Sequence, residues 1–327
     1  EHDIDYLIGG SRFKDSMVKF TNGVRSTVAA FFGSKPENTM LVPNFSFGLN
    51  VFLKGLPGKH KVLLLEGDYP SVNWPLIAAG HDVHHLKISE NIEDEIRKAV
   101  SSLKPTIFAF SIVQYITGVK IAPSFVKELK DLHPELIIIG DGTQYFGTEP
   151  FHFEASGFDA VGGSGYKWLL AGYGNGFFLL KDGWADKLYA ESLQHEPQKE
   201  PFLEGKNHLM YHFEPGHLDT LNFGSLQFSL NRLEKMGLQA ISDHLAMLSA
   251  YAKEVFGKLG VLDDVTQKRK LHSTIFKLTV TNKVLDVLAQ KDVLTSVRGG
   301  GLRVSFHIYN TKKDVDKVAL IIRNNPK

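Results

Sequence analysis

Short unbroken apolar runs recur along this chain, each stopped by glycine, proline or charge. Met40-Leu41-Val42-Pro43, Lys61–Leu65, Thr106–Phe110, Leu136–Ile139, Phe158–Val161 and Gly176–Leu180 have the length and branching of strands covered on both faces. Between them the apolar positions take helical spacing. Val24, Val28, Ala29 and Phe32 mark a helix over Asn22–Phe32 with Gly33 as its stop. Further helical patterns follow from Asn50 to Leu56, over Ile92–Leu103 and over Pro123–Leu132. Strand and helix in alternation predict an α/β fold whose sheet is mostly parallel and flanked by helices. From Leu226 the pattern changes to two long helices, Leu226–Met236 and Ile241–Leu259. Strand Ser273–Val280, a strand through Leu302-Arg303-Val304-Ser305 and helix Asp314–Ile322 complete the chain. The expected division is a large domain over 21–225 and a smaller α+β domain of 226–327 joined by a peripheral arm, 1–20. Gln194–Tyr211, polar with scattered Pro and His, reads as a loop.

In open parallel sheets, ligands bind beyond the carboxyl ends of the strands. Asp141 stands at such an end, in Gly140-Asp141-Gly142. Lys167 follows Gly162-Gly163-Ser164-Gly165 between Tyr166 and Trp168. Enclosure would lower the lysine's pKa and free its amine to bond a carbonyl carbon. A carboxylate at the neighbouring strand end suits a protonated ring nitrogen. Taken singly, Asp141 also reads as a helix cap and Lys167 as a loop charge. The turn Asn44-Phe45-Ser46, between strand and helix, makes an anion site of free N–H groups, although Ser46 alone also reads as an N-cap. Tyr69, before Pro70-Ser71, offers a flat aromatic face; it and Trp74 read equally as core or dimer-contact aromatics. Arg303 shares a strand face with Ser305 and presents a planar fork to a carboxylate, against the plainer reading of an edge-strand surface arginine.

The order strand–Asp141-x-x-Gln144, then strand–Ser164-x-x-Lys167, resembles the fold-type I pyridoxal phosphate enzymes. Within them it is similar to the class V aminotransferase family, which includes cysteine desulfurases and kynureninases. The C-terminal Arg303-x-Ser305-x-x-x-Tyr309-Asn310-Thr311 resembles that family's signature too. The resemblance spans most of the chain and implies pyridoxal 5′-phosphate bound through Lys167, with Asp141 on its ring nitrogen and Gln144 on the ring oxygen or imine. Phe45, Ser46 and Ser164 would hold the phosphate and Tyr69 would stack on the ring. Gln114 and Tyr115 would lie beside the substrate, and Arg303 would grip the α-carboxylate of an amino acid. The family's usual homodimer is implied as well. Phe213-Glu214-Pro215-Gly216-His217 resembles the loop that reaches the neighbour's phosphate, with His217 in place of threonine and Asn222 as a substitute contact. Tyr166 stands where desulfurases commonly have histidine. Three glycines and Leu302 occupy the interval, between Arg298 and Arg303, where desulfurases carry a cysteine-bearing loop. Transamination between an amino acid and a keto acid is the expected reaction. A lyase, an epimerase and a kynureninase-like hydrolase are its alternatives, and a non-catalytic binding protein is the reading from another class.

Composition narrows the rest. Of 327 residues, 37 are basic and 36 acidic, a formal charge of +1 with no basic stripe, so no nucleic-acid partner is expected. No apolar run approaches membrane-spanning length, so no membrane partner is expected, and cytoplasm is the default location. Cysteine is absent, which removes disulfides, thiolate metal sites and thiol nucleophiles together. His81, His84 and His85 cluster, yet they read as a strand start rather than a metal site.

Overall fold

The computed structural model describes residues 8–196, 203 and 206–325. The strands are β1 (Thr39–Val42), β2 (Lys61–Leu65), β3 (Asp82–Leu86), β4 (Ile107–Ser111), β5 (Ile137–Asp141), β6 (Ala160–Ser164) and β7 (Gly176–Leu180). They form one sheet in the order β1-β7-β6-β5-β4-β2-β3, in which β7 is antiparallel to both neighbours and the remaining pairs are parallel. Interleaved helices are α1 (Ser11–Phe32), α2 (Phe45–Gly55), α3 (Pro70–Ala78), α4 (Ile92–Leu103) and α5 (Pro123–Leu132). Then come α6 (His208–Phe213), α7 (Thr220–Met236), α8 (Leu238–Lys258), α9 (Asp264–Lys268), α10 (Asn282–Gln290) and α11 (Lys312–Asn324).

The unbroken apolar strands do have two covered faces. Leu63, Leu65, Phe108, Phe110 and Ile138 enter one core with Val24, Val28 and Phe32 of α1 and Ile92, Ile96 and Val100 of α4. Their neighbours Val62, Leu64, Ile107, Ala109 and Ile139 enter a second core with Leu49 and Phe52 of α2 and Leu76 of α3. Each large side chain so buried contributes roughly 1.5–3 kcal/mol. A smaller antiparallel sheet, β8 (Ile275–Leu278), β10 (Gly301–Ser305) and β9 (Ser296–Arg298), packs with α8, α10 and α11 in a third core. The change from the first core to the third falls inside α8, between Leu245 and Leu248; Leu226, Leu230 and Leu233 of α7 pack with the large sheet.

Several expectations need correction. The arm is helical from Ser11, continuous with the helix expected to begin at Asn22, and residues 1–7 lie outside the described ones. The loop ending at Tyr211 gives way to α6 at His208, because Asn207 caps it by accepting from Met210 N at 3.1 Å. Most of the remainder, 197–202 and 204–205, lies outside the described residues. The strand expected over Phe158–Val161 is β6 at Ala160–Ser164, so Gly162 and Gly163 belong to it. A Cβ on Gly162 would meet Phe178 at 2.5 Å and one on Gly163 would meet Phe146 at 2.7 Å, so the strand is glycine-rich where aromatic rings cover it. Among the described residues no helix is long and apolar enough to cross a membrane.

Candidate active site

The carboxyl ends of β1, β2, β4, β5 and β6 open onto one cavity of about 480 Å³. That volume lies in the range of small-molecule and cofactor sites. Its floor is Asp141, the last residue of β5, whose Oδ1 accepts from Thr143 N at 2.8 Å. Burial pushes this carboxyl up to about 7; the bond to Thr143 opposes the rise and the nearby Asp68 adds slightly to it.

One wall is made where β1 turns into α2. Asn44 caps the helix by accepting from Phe47 N at 2.9 Å. Phe45 N donates to Ser164 Oγ at 3.0 Å, and Ser164 N donates to Thr143 Oγ1 at 3.2 Å. Ser46 Oγ donates to Ser71 Oγ at 2.6 Å in the first turn of α3. Two helix N-termini and the end of β6 are thereby tied into one hydroxyl-rich corner, with partial positive charge from the helix dipoles.

Lys167 enters from the segment after β6. Burial lowers the pKa of its amine, and the positive Arg303 and Arg298 lower it further. Its Nζ lies 5.1 Å from the centroid of the Tyr166 ring, and that ring stacks on Tyr173 at 4.6 Å. Gln144 lines the cavity with its amide oriented from behind: Trp168 Nε1 donates to Oε1 at 2.8 Å, which leaves the NH₂ to face an acceptor. Trp168 is itself held by stacking on His307, centroids 4.7 Å apart. Tyr69 and Tyr115 meet edge to face at 5.1 Å over the opening, and Arg303 reaches in from β10 of the small sheet. Burial and then Arg298 depress the Arg303 guanidinium, and its Nε is buried without a partner.

One expected residue does not fit its role. Gln114 is turned into its own loop. Its Nε2 donates to Gly67 O at 2.9 Å, its Oε1 accepts from Ile116 N, Thr117 N and Thr117 Oγ1, and it is absent from the cavity lining. Trp74 is an exposed residue of α3, which leaves the contact aromatic of its two readings. His217 and Asn222 lie away from the cavity lining; Asn222 donates to Asp219 Oδ2 at 2.6 Å at the start of α7.

Asp68 and Trp168 carried no signal in the sequence that marked them as site-builders. Asp68 is buried and accepts from Ser111 N and from Tyr69 N, both at 2.7 Å, which fixes Tyr69 against the end of β4. Its only signal was an aspartate just past a buried strand, a position that surface turns also favour.

The group of residues fits pyridoxal phosphate on the structure's own terms. A deeply buried carboxyl awaits a cation, a desolvated lysine amine and an amide NH₂ face the same space, and a hydroxyl-lined helix terminus stands at one corner for an anion.

The Aminotransferase class-V family model matches residues 9–318. An uncharacterised aminotransferase, YcbU, of Bacillus subtilis (strain 168) is 20% identical over 96% of this chain and 86% of its own length. Among solved structures, a cysteine desulfurase from Thermococcus onnurineus NA1 superposes with a TM-score of 0.78 at 18% identity, covering 96% of this chain and 84% of the other. A ureidoglycine-glyoxylate aminotransferase from Bacillus subtilis gives 0.73 at 16% identity, with 96% and 87% covered.

Proposed function

The chain belongs to the aminotransferase class-V family, and from that premise we propose that it is a pyridoxal 5′-phosphate enzyme moving the amino group of an amino acid to a keto acid. One observation carries the reading: Lys167, Asp141, Gln144, Ser164, Tyr69 and Arg303, far apart in sequence, line a single cavity. When bound, the cofactor supplies an electron sink that makes the α-proton of an attached amino acid acidic.

The chain's own residues divide the remaining work. Asp141, reluctant to ionise alone, gives up its proton opposite a protonated ring nitrogen and keeps that nitrogen charged. Phe45, Ser46 and Ser164 hold the phosphate at the corner of helix termini, and Tyr69 lays an aromatic face against the ring. The Gln144 amide, held by Trp168, donates to the ring oxygen. Lys167, its pKa already depressed, serves first as the attachment point and then, released, as the base that moves the proton at the α-carbon. Arg303 orients the substrate by its α-carboxylate through paired charge-assisted hydrogen bonds.

A homodimer is part of the proposal. Tyr173, Phe228, Trp74 and Leu221 are large apolar residues standing exposed, and Tyr173 also lines the cavity. His217 and Asn222 are proposed to meet the partner there, since the side chain of Asn222 packs beside Gly174, one residue beyond Tyr173. A cytoplasmic location is proposed from the near-neutral charge alone.

The test is a screen of amino donors against several keto acids with purified, cofactor-loaded protein. Transfer of amino nitrogen to the acceptor, with one keto product per amino product, is expected. Release of ammonia or a cleaved side chain in place of transfer would assign a lyase or hydrolase; a change of configuration alone would assign an epimerase.

A further inference from the structure

The β9–β10 hairpin puts a second guanidinium beside Arg303. In its register Arg298 faces Gly301 and Arg303 faces Ser296, so both arginines project from the same face as diagonal neighbours. Such neighbours have Cβ atoms about 7–8 Å apart or slightly less. Gly301 contributes no side chain between them. The turn is the two-residue Gly299-Gly300, with φ of 55° and 72°, which only a primed hairpin turn accommodates easily. A Cβ on Gly299 would lie 2.8 Å from Ile116 Cγ2, so the tip sits directly on the loop that carries Tyr115. The hairpin is therefore fixed over the cavity, and both arginines line it.

Charge around the cavity is unbalanced. Asp141 is the only acid among the lining residues, against Lys167, Arg298 and Arg303. Among the described residues neither arginine forms an ion pair, and Arg303 Nε lacks any partner. In the function proposed above, Asp141 answers the ring nitrogen and the phosphate lies at the far corner. An α-carboxylate then neutralises one guanidinium and leaves the other facing the substrate's side chain.

We propose that the substrate is an α-amino acid with a second carboxylate, its α-carboxylate held by Arg303 and its distal carboxylate by Arg298. The assignment rests on the proposed amino-acid chemistry, and the planar fork of arginine suits a carboxylate in both places. The mutual push between the two guanidiniums, and of both on Lys167, would be relieved as a dianion enters.

The experiment compares kcat/KM for aspartate and glutamate with asparagine and glutamine, which differ from them by one charge. O-phosphoserine is run beside them. Cofactor-loaded wild type, Arg298→Gln and Arg298→Lys are used, each first checked for its visible absorption band. The wild type should favour the better diacid over its amide by about a hundredfold, a ratio worth roughly two decades of affinity. Arg298→Gln should collapse that ratio to within about threefold, and Arg298→Lys should restore part of it. A ratio that survives in Arg298→Gln, or a wild type that prefers the amides, would overturn the assignment. Preference for O-phosphoserine over both diacids would overturn it too, placing a phosphate under Arg298. Calorimetric binding of succinate against succinamate reads the same preference without turnover: tighter succinate binding that Arg298→Gln abolishes is expected, and equal binding contradicts it. Loss of the visible band with the succinate preference intact would discredit the cofactor reading and leave the anion site standing. A visible band with no such preference would do the reverse.

Discussion

Asp141 shows what a single buried carboxyl does to the molecule that holds it. Its pKa in the folded chain is about 7, against an ordinary value near 3.9. Between those values the folded state keeps a proton that the unfolded state has lost. Stability from this group is therefore full below about pH 4 and declines as pH rises to 7, by on the order of 4 kcal/mol. Thermal melts of cofactor-free wild type and Asp141→Asn across this range should diverge, with the wild type losing more stability toward pH 7. The difference between variants is the quantity to read, because His272 and His307, buried with pKa values pushed down to about 4, slope the other way. Parallel melting curves would contradict the burial argument. At this scale the sequence was legible where a residue type and its place agreed, as with Asp141 at a strand end and Lys167 between glycines and aromatics. It misled at Gln114, because an amide that satisfies its own turn looks the same in a sequence as one that meets a ligand. Whether Gln144 had a free NH₂ depended on Trp168, a contact that no local pattern announces.

Among the elements, α1, β1 and the loop after α6 are tied by a buried ion pair. Arg25 donates to both oxygens of Glu214, at 2.5 and 2.8 Å, and to Thr39 O at 2.7 Å; Glu214 Oε1 also accepts from Leu41 N at 2.8 Å. Both residues are almost fully buried. Removing one partner strands the other charge, so Arg25→Met or Glu214→Gln should each cost about 3–5 kcal/mol. Replacing both with apolar residues should cost clearly less than the sum. Urea unfolding of the single and double variants checks this, and single losses below about 1 kcal/mol would refute it. Element by element, the strands of the large sheet other than the polar edge strand β3 were readable because a strand covered on both faces must be apolar throughout. The run Gly162-Gly163 was not, since glycine looks like a turn until the rings of Phe146 and Phe178 are known to cover it. The hairpin at Arg298 had the same ambiguity: three glycines in a row signal mobility, whereas a register and a contact with Ile116 hold them in place.

For the molecule as a whole, the alternation of strands and helices gave the sheet, and a sheet of this topology gathers its chemistry at one edge. The motifs spaced along the chain therefore point to one common edge of the sheet. The packing of α7 against the large sheet was not legible, because helical periodicity shows that a face is buried without showing what buries it. Desulfurase-like structures share this fold, yet the chain contains no cysteine to take up a sulfur atom. Incubation with cysteine should accordingly give no persulfide on the protein and no sustained sulfide release. Release at the rate of a dedicated enzyme would contradict that expectation. The central claim is that Lys167 carries the cofactor, and one measurement reaches it directly. Purified protein loaded with pyridoxal 5′-phosphate is reduced with borohydride, digested and mapped by mass, alongside Lys167→Ala. The reduced cofactor should be found on the peptide containing Lys167, and the variant should show neither the visible band nor an adduct. An adduct on another lysine, or an undiminished band in Lys167→Ala, would contradict the account.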